Sequence, residues 1–256
     1  METEGSVQVP EEPAGMSEAN RLTAVFFEPT AVFEDISRRP TWLIPLLLTL
    51  LLTAAVMFVH PRRVSMDAMV KAQVKQAQAF GASNVDPAQL EAVIRSRMDS
   101  WWGRYGNIII VVVFGGAATA ALAGILMLAY MLAGASISFK RSLSALCWSS
   151  VPTTIVLSLM AILFLFLKNQ EDLDPMNPFE NVLSNLGFLV SADSQPVLRG
   201  LLGSIDLFSF WRIFLTGIAF SAASLGGISR KSSMVVIIIL WILYVIGKAG
   251  ITGLFS

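Results

Sequence analysis

The chain has 256 residues, 55% of them hydrophobic and 14% charged, with a mean hydropathy of +0.67. Soluble domains carry about 25% charged residues, so this is the composition of a polytopic membrane protein. A net charge of zero gives no electrostatic case for nucleic acid, and a single Cys and a single His argue against an intrachain disulfide or a zinc site.

Residues 1–20 carry five acids, no bases and no aromatic residue. They cannot bury enough apolar surface to offset ordering entropy, which predicts a disordered tail. They also lack the basic start and early apolar run of a secretory signal. Residues 21–40 read as an interfacial collar. Thr30 follows Pro29 and caps a short turn, with Val32, Phe33 and Ile36 on one face. Glu34 and Asp35 are expected to face water, and Arg38 and Arg39 to reach lipid phosphates.

About 20 predominantly apolar residues cross a bilayer as a helix. Five stretches qualify, at about 41–59, 107–133, 143–167, 207–228 and 234–254, inside a membrane domain of residues 41–256. The predicted class is therefore all-α, a five-span integral membrane protein. The first loop, 60–106, has helical apolar spacing in two pieces. Asp86 is the expected N-cap of the second, with Pro87 at its first position and Gln89 completing a capping box. Its apolar stripe ends at Trp101 and Trp102, which suit headgroup level. The third loop, 168–206, holds six acids against Lys168 and Arg199.

Bases near span ends set orientation. Lys140, Arg141, Arg230, Lys231, Arg21, Arg38 and Arg39 all fall on one side, which places the N-terminus in the cytoplasm and the C-terminus outside. The first loop disagrees, with seven bases against four acids on the opposite side; at this length it is discounted.

Three stretches together resemble one family. "FFEPTAVFEDISRRPTWLIPLLL" (26–48) is similar to the segment leading into the first span of bacterial Yip-domain proteins. "GASISFKRSLSALCWSSVPTTIV" (134–156) resembles that family's short second loop and proline-bearing third span. "DLFSFWRIFLTGIAFSAASLGGISRKSSMVVIIILWIL" (206–243) resembles its fourth span, basic turn and fifth span. The resemblance implies a five-span protein of a bacterial inner membrane that acts as a non-enzymatic scaffold or accessory factor. The Asp-Leu-Tyr-Gly-Pro motif associated with Rab-type GTPase binding in eukaryotic Yip proteins is absent here, so a trafficking role is not carried over.

Candidate residues follow from cost. A charge at mid-membrane is expensive, about 2.5–3.5 kcal/mol on insertion scales, which singles out Arg212 and Lys248. They could snorkel, or they could line a polar vestibule with Asp206. Pro152 is a candidate kink, with Ser149, Ser150, Thr153 and Thr154 placed to satisfy the backbone it frees. Phe33, Arg38, Arg39, Trp42, Trp101 and Trp102 are candidate interfacial anchors. Small residues four apart (Gly116, Ala120 and Gly124; Ala219, Ala223 and Gly227) suit close helix approach. No catalytic motif occurs, so no enzyme activity or cofactor is expected.

The expected partners are the bilayer and other membrane proteins, for example an export transporter, or copies of the chain itself. The rival expectation is a small-solute channel or transporter subunit. A weaker one is a membrane-shaping protein acting through Phe33 and Trp101.

Overall fold

The computed structural model describes residues 15–82, 84–190 and 196–254. Most of the predicted tail therefore lies outside the described residues, and its last part is helical. α1 (Glu18–Phe27) starts where the Ser17 hydroxyl accepts the Asn20 N–H at 3.2 Å. α2 (Pro29–Arg38) begins on its proline and stops ahead of Pro40, which disfavours helix in the residue before it.

α3 (Leu43–Arg63) is the first long apolar helix. A hairpin follows: α4 (Met66–Ala77), capped by Ser65, runs into a short π turn, and α5 (Pro87–Asp99) is capped by Asp86. The Asp86 cap goes to the Ala88 N–H at 3.1 Å, one residue earlier than a capping box would place it. α6 (Trp101–Leu132) is a separate helix because Ser100 is extended and its hydroxyl caps the Gly103 N–H at 3.1 Å. Trp101 and Trp102 thus open the second apolar helix and do not end the amphipathic one.

α7 (Phe139–Leu167) runs unbroken through Pro152. α8 (Pro196–Leu202) is short, and α9 (Leu207–Ala223) and α10 (Arg230–Leu254) complete the chain. Among the described residues four helices, α3, α6, α7 and α10, are long and apolar enough to cross a membrane. The fourth predicted span is the exception. α9 has 17 residues, or about 25 Å at 1.5 Å per residue, against a hydrocarbon core of ~30 Å. It stops where Leu225 and Gly226 take left-handed φ values of 51° and 88°, the backbone turn that usually closes a helix.

Contacts along the helices fix their directions. Trp148 of α7 donates its indole N–H to Thr41 O at 2.9 Å, and Arg63 donates to Leu165 O at 2.9 Å, so α3 and α7 run parallel. The Ser142 hydroxyl of α7 reaches Ala123 O of α6 at 2.6 Å. On the far side, the Ser233 hydroxyl of α10 donates to Gly217 O of α9 at 2.6 Å, and Tyr130 of α6 joins it at 2.7 Å. A Cβ at Gly217 would meet Met234 Sδ at 2.4 Å, so a larger residue there has to displace the Met234 side chain. Between α6 and α3 the close approach is at Gly115, against Leu50 at 2.7 Å; of the predicted glycines, Gly116 and Gly124 meet nothing nearer than 3.9 Å, and Gly227 lies 3.7 Å from Ala135.

The core runs through the middle of the bundle: Trp148, Tyr130, Phe220, Val151 and Leu215, capped at one end by Val25, Val32, Phe33 and Ile36 of α1 and α2. The outside is greasier than any soluble surface. Leu47 and Leu51 of α3, Val113 and Phe114 of α6, Leu163 and Phe166 of α7 and Ile239 and Leu243 of α10 are all exposed. Apolar residues point outward over the helices that are long enough to span, which is the surface a bilayer covers.

Candidate functional site

Two polar features interrupt this apolar frame, one at each end. The first is built on Arg21, a residue read from sequence only as a topological charge. It is 2% exposed. Its guanidinium meets Asp35 Oδ2 from Nε at 2.7 Å and from Nη2 at 2.6 Å, Glu18 Oε1 at 3.1 Å and the Thr41 hydroxyl at 2.7 Å. A fourth partner is Arg39 O at 3.3 Å. One cation therefore ties α1, α2 and the start of α3 together, and the i,i+3 spacing from Glu18 was its only local trace.

The collar is thus a docked helical cap. Phe33, expected at the headgroups, is 1% exposed and packs in the core, because its face of α2 lies against the bundle. Asp35 turns to Arg21 and away from water. Arg38 and Arg39 are exposed as anchors would be, and Trp42 is half-buried against the core. Arg141 donates to Ser37 O at 3.2 Å and Arg230 lies 3.8 Å from Glu34, so three of the predicted basic elements meet on the cap. A cleft of ≈380 Å3 between α2 and α9 opens beside them, lined by Thr30, Glu34, Arg38, Ser221 and Arg230.

At the opposite end lies an aromatic and basic belt. Trp101 and Trp102 are 65% and 55% exposed. Tyr105 stacks on Phe58 with ring centroids 6.5 Å apart, and Arg62 and Arg63 sit over Phe58 and Phe166 at 3.5 and 5.2 Å. His60 is buried, and its Nε2 lies 2.9 Å from Asp174 O, so Nε2 carries the proton and ties α3 to the third loop. In the first-loop hairpin, Arg95 holds Asp67 at 2.6 Å and Glu91 at 3.3 Å. Arg95, through its hydrogen bond first and its charge second, holds the Asp67 carboxyl below its ordinary value.

The second polar feature is a cleft of ≈210 Å3 among α3, α7 and α9, lined by Thr53, Thr154, Ser158, Asp206, Ser209 and Arg212. Its depth follows from helix geometry. Ser158 lies seven residues before Leu165 and Thr53 ten before Arg63, so α9 starts about 10–15 Å below the ends of α3 and α7. The third loop fills the space above α9. Leu186 N–H donates to Ile205 O and Leu207 N–H to Ser184 O, both at 3.2 Å, and Phe179 reaches the cleft wall. Irregular backbone at such depth is tolerated where protein or a polar cavity satisfies it.

Asp206 Oδ2 caps α9 by accepting the Ser209 N–H at 2.9 Å and its hydroxyl at 3.2 Å. Its other oxygen, Oδ1, is buried with no hydrogen-bond partner, as is the Ser158 hydroxyl. The predicted vestibule trio divides. Asp206 and Arg212 share this cleft, while Lys248 lines another of ≈230 Å3 with Glu180, Asn185 and Arg199. The hydroxyls around Pro152 do not serve the carbonyl it frees, that of Trp148. Ser149 and Ser150 donate to Leu146 O at 3.1 and 2.8 Å, and Thr153 to Ser150 O at 3.1 Å.

An all-α bundle with a lipid-facing apolar exterior over helices long enough to span is an integral membrane protein. Residues 23–251 match the Yip1 domain, and the chain belongs to that family. Yip1-domain proteins are membrane proteins of a non-enzymatic kind that interact with other proteins. No curated protein and no solved structure matches the chain.

Proposed function

We propose that this protein is a membrane scaffold or accessory factor that assembles or regulates other membrane proteins, an export transporter for example, in a bacterial inner membrane. α9 would complete a fifth crossing with help from the third loop, with the α1–α2 cap cytoplasmic and the C-terminus outside.

The observation that supports this most is the packed layer between the two polar ends. Trp148, Tyr130, Val151 and Phe220 are each 0% exposed and Leu215 is 1%. They lie between the Arg212 cleft and the α1–α2 cap, and the Ser149 and Thr216 hydroxyls among them are buried and bonded to each other at 3.2 Å, which argues against an open path for solute. A rigid body whose polar surfaces are at its ends suits contact with partners better than conduction.

Crosslinking in native membranes followed by co-purification tests this reading. A reproducible heteromeric partner is expected, with crosslinks from sites around Thr30 and Arg38. Recovery of the protein alone, together with solute flux in liposomes that contain nothing else, overturns it. That result would establish the second reading, a small-solute transporter subunit, which is favoured by the unpartnered polar atoms of the Arg212 cleft.

A further inference from the structure

The Arg212 cleft holds one group of each charge, and they do not neutralise each other. Among the described residues, Arg212, itself exposed, has no carboxylate within 4.0 Å and no hydrogen bond. Asp206 spends one oxygen on the α9 cap and leaves Oδ1 buried and unpartnered. Ser158, 0% exposed, lines the same cleft with its hydroxyl unpartnered too. Thr154 adds a further hydroxyl to the wall.

Buried polar groups are normally satisfied, and each exception calls for a reason. Snorkelling accounts for Arg212 alone; it does not account for a buried carboxylate oxygen and a buried hydroxyl without partners on two residues of the cleft wall. We propose that the cleft binds a small zwitterionic group carrying a phosphate or carboxylate and a primary ammonium. The anion would pair with the Arg212 guanidinium, which is built for bidentate contact with such oxygens. The ammonium would donate to Asp206 Oδ1 and to the Ser158 oxygen. A simple anion leaves the Asp206 carboxylate facing it, and a simple cation leaves Arg212 doing the same, so only a ligand of both signs satisfies both walls. The ≈210 Å3 of space exceeds the ~150 Å3 cavity that admits benzene, so a phosphoethanolamine-sized group fits.

That chemistry comes from two sources, the headgroup of phosphatidylethanolamine or a free solute such as a small amino acid or phosphoamine. The purified full chain is heated with a thiol-reactive fluorophore, so that Cys147, buried in the core, reports opening of the bundle. In lipid-free detergent the probes are glycerophosphoethanolamine, glycerophosphoglycerol (anion only) and ethanolamine (cation only). In nanodiscs they are phosphatidylglycerol with or without phosphatidylethanolamine.

Saturable stabilisation by the zwitterionic probe is expected, with an apparent affinity at least about tenfold above either single-charge probe. The effect should be lost in Arg212→Gln and in Asp206→Asn, the latter chosen because Asn keeps an oxygen for the α9 cap. A response in detergent supports a free solute as the source, and a response confined to phosphatidylethanolamine nanodiscs supports the lipid. Equal response to single-charge probes, no response in either medium, or variants that respond like the unsubstituted chain overturns the proposal.

Discussion

Arg21 gives the sharpest test of how the N-terminal cap is held. Replacing it by Met keeps the length of the side chain and removes the charge. Asp35, with a side chain 16% exposed, is then left with the Met16 N–H at 3.3 Å as its hydrogen-bond donor, and the Thr41 hydroxyl loses its partner at 2.7 Å. Removing one member of a buried ion pair costs about 3–5 kcal/mol because the survivor stays buried and uncompensated. Asp35 and Glu18 are partly open to solvent, which places Arg21→Met at the lower end, about 3 kcal/mol. For a protein of this size that is a fall in unfolding temperature of about 6–12 °C. Heating with a thiol-reactive dye, read at Cys147, measures it without adding a cysteine. The double variant Arg21→Met, Asp35→Leu removes the stranded charge and should recover much of the loss. A single variant within about 2 °C of the parent, or a double variant no better than the single, would refute the buried-hub account.

Leu225 holds a left-handed φ of 51° while half of its side chain is exposed, so Leu225→Gly relieves strain of about 1–2 kcal/mol against the chain-entropy cost of a glycine, and a net gain of roughly 0.5–1 kcal/mol is expected in the same thermal assay. Ser158→Ala deletes a buried hydroxyl with no partner and should be neutral or stabilising in lipid-free detergent. Ser142→Ala breaks the α7–α6 bond to Ala123 O and should cost about 1 kcal/mol; equal losses in the two variants would contradict the assignment of partners. In the first-loop hairpin, the Asp67 carboxyl is held below its ordinary 3.8 by Arg95. A carboxyl depressed in the folded state stabilises above its ordinary value and loses that effect as pH falls through the lowered one. Amide exchange of α4 and α5 should therefore rise below pH 3.8, and Asp67→Asn should flatten the profile; the effect is small because the pair is exposed.

What was legible in the sequence follows from the range of the physics involved. Apolar run length located α3, α6, α7 and α10, because lipid selects for length and composition locally. Caps were legible where chemistry is local, as at Asp86, but Ser100 was missed. A continuous apolar stripe through Met98 to Trp102 outweighed one serine, although Ser followed by a helix start is an N-cap signature. The small-residue spacing identified the buried Ala219 and Ala223 of α9 but missed the tightest glycines. Gly115 and Gly217 are close approaches between the long helices, one residue from Gly116 and two from Ala219, since spacing alone does not say which face meets a neighbour. Arg21 was legible as a charge but not as a hub. Asp35 is 14 residues away and comes to it only when α2 folds back on α1.

The same reasoning explains why α9 falls short of a full crossing while its sequence suggests one. Residues 207–228 are apolar enough to cross, yet the helix gives up its last turn to the left-handed Leu225–Gly226 pair and starts deep, at the Asp206 cap. A cap at that depth places a carboxylate inside the bundle, which is tolerated because the third loop descends with it. Ser184 O and Ile205 O take the backbone donors there, and Asn181 donates to Pro178 O at 3.2 Å while accepting the Asp174 N–H at 2.9 Å. The acids counted in the third loop are therefore unequal. Glu171 and Asp172 are exposed. Asp174 turns its backbone to His60 and its carboxylate to the Met176 and Asn177 N–H groups. Asp206 is held at the floor of a cleft with Arg212. A helix cut short and a loop drawn in are one structural decision, and the unpaired polar groups at their junction are its consequence.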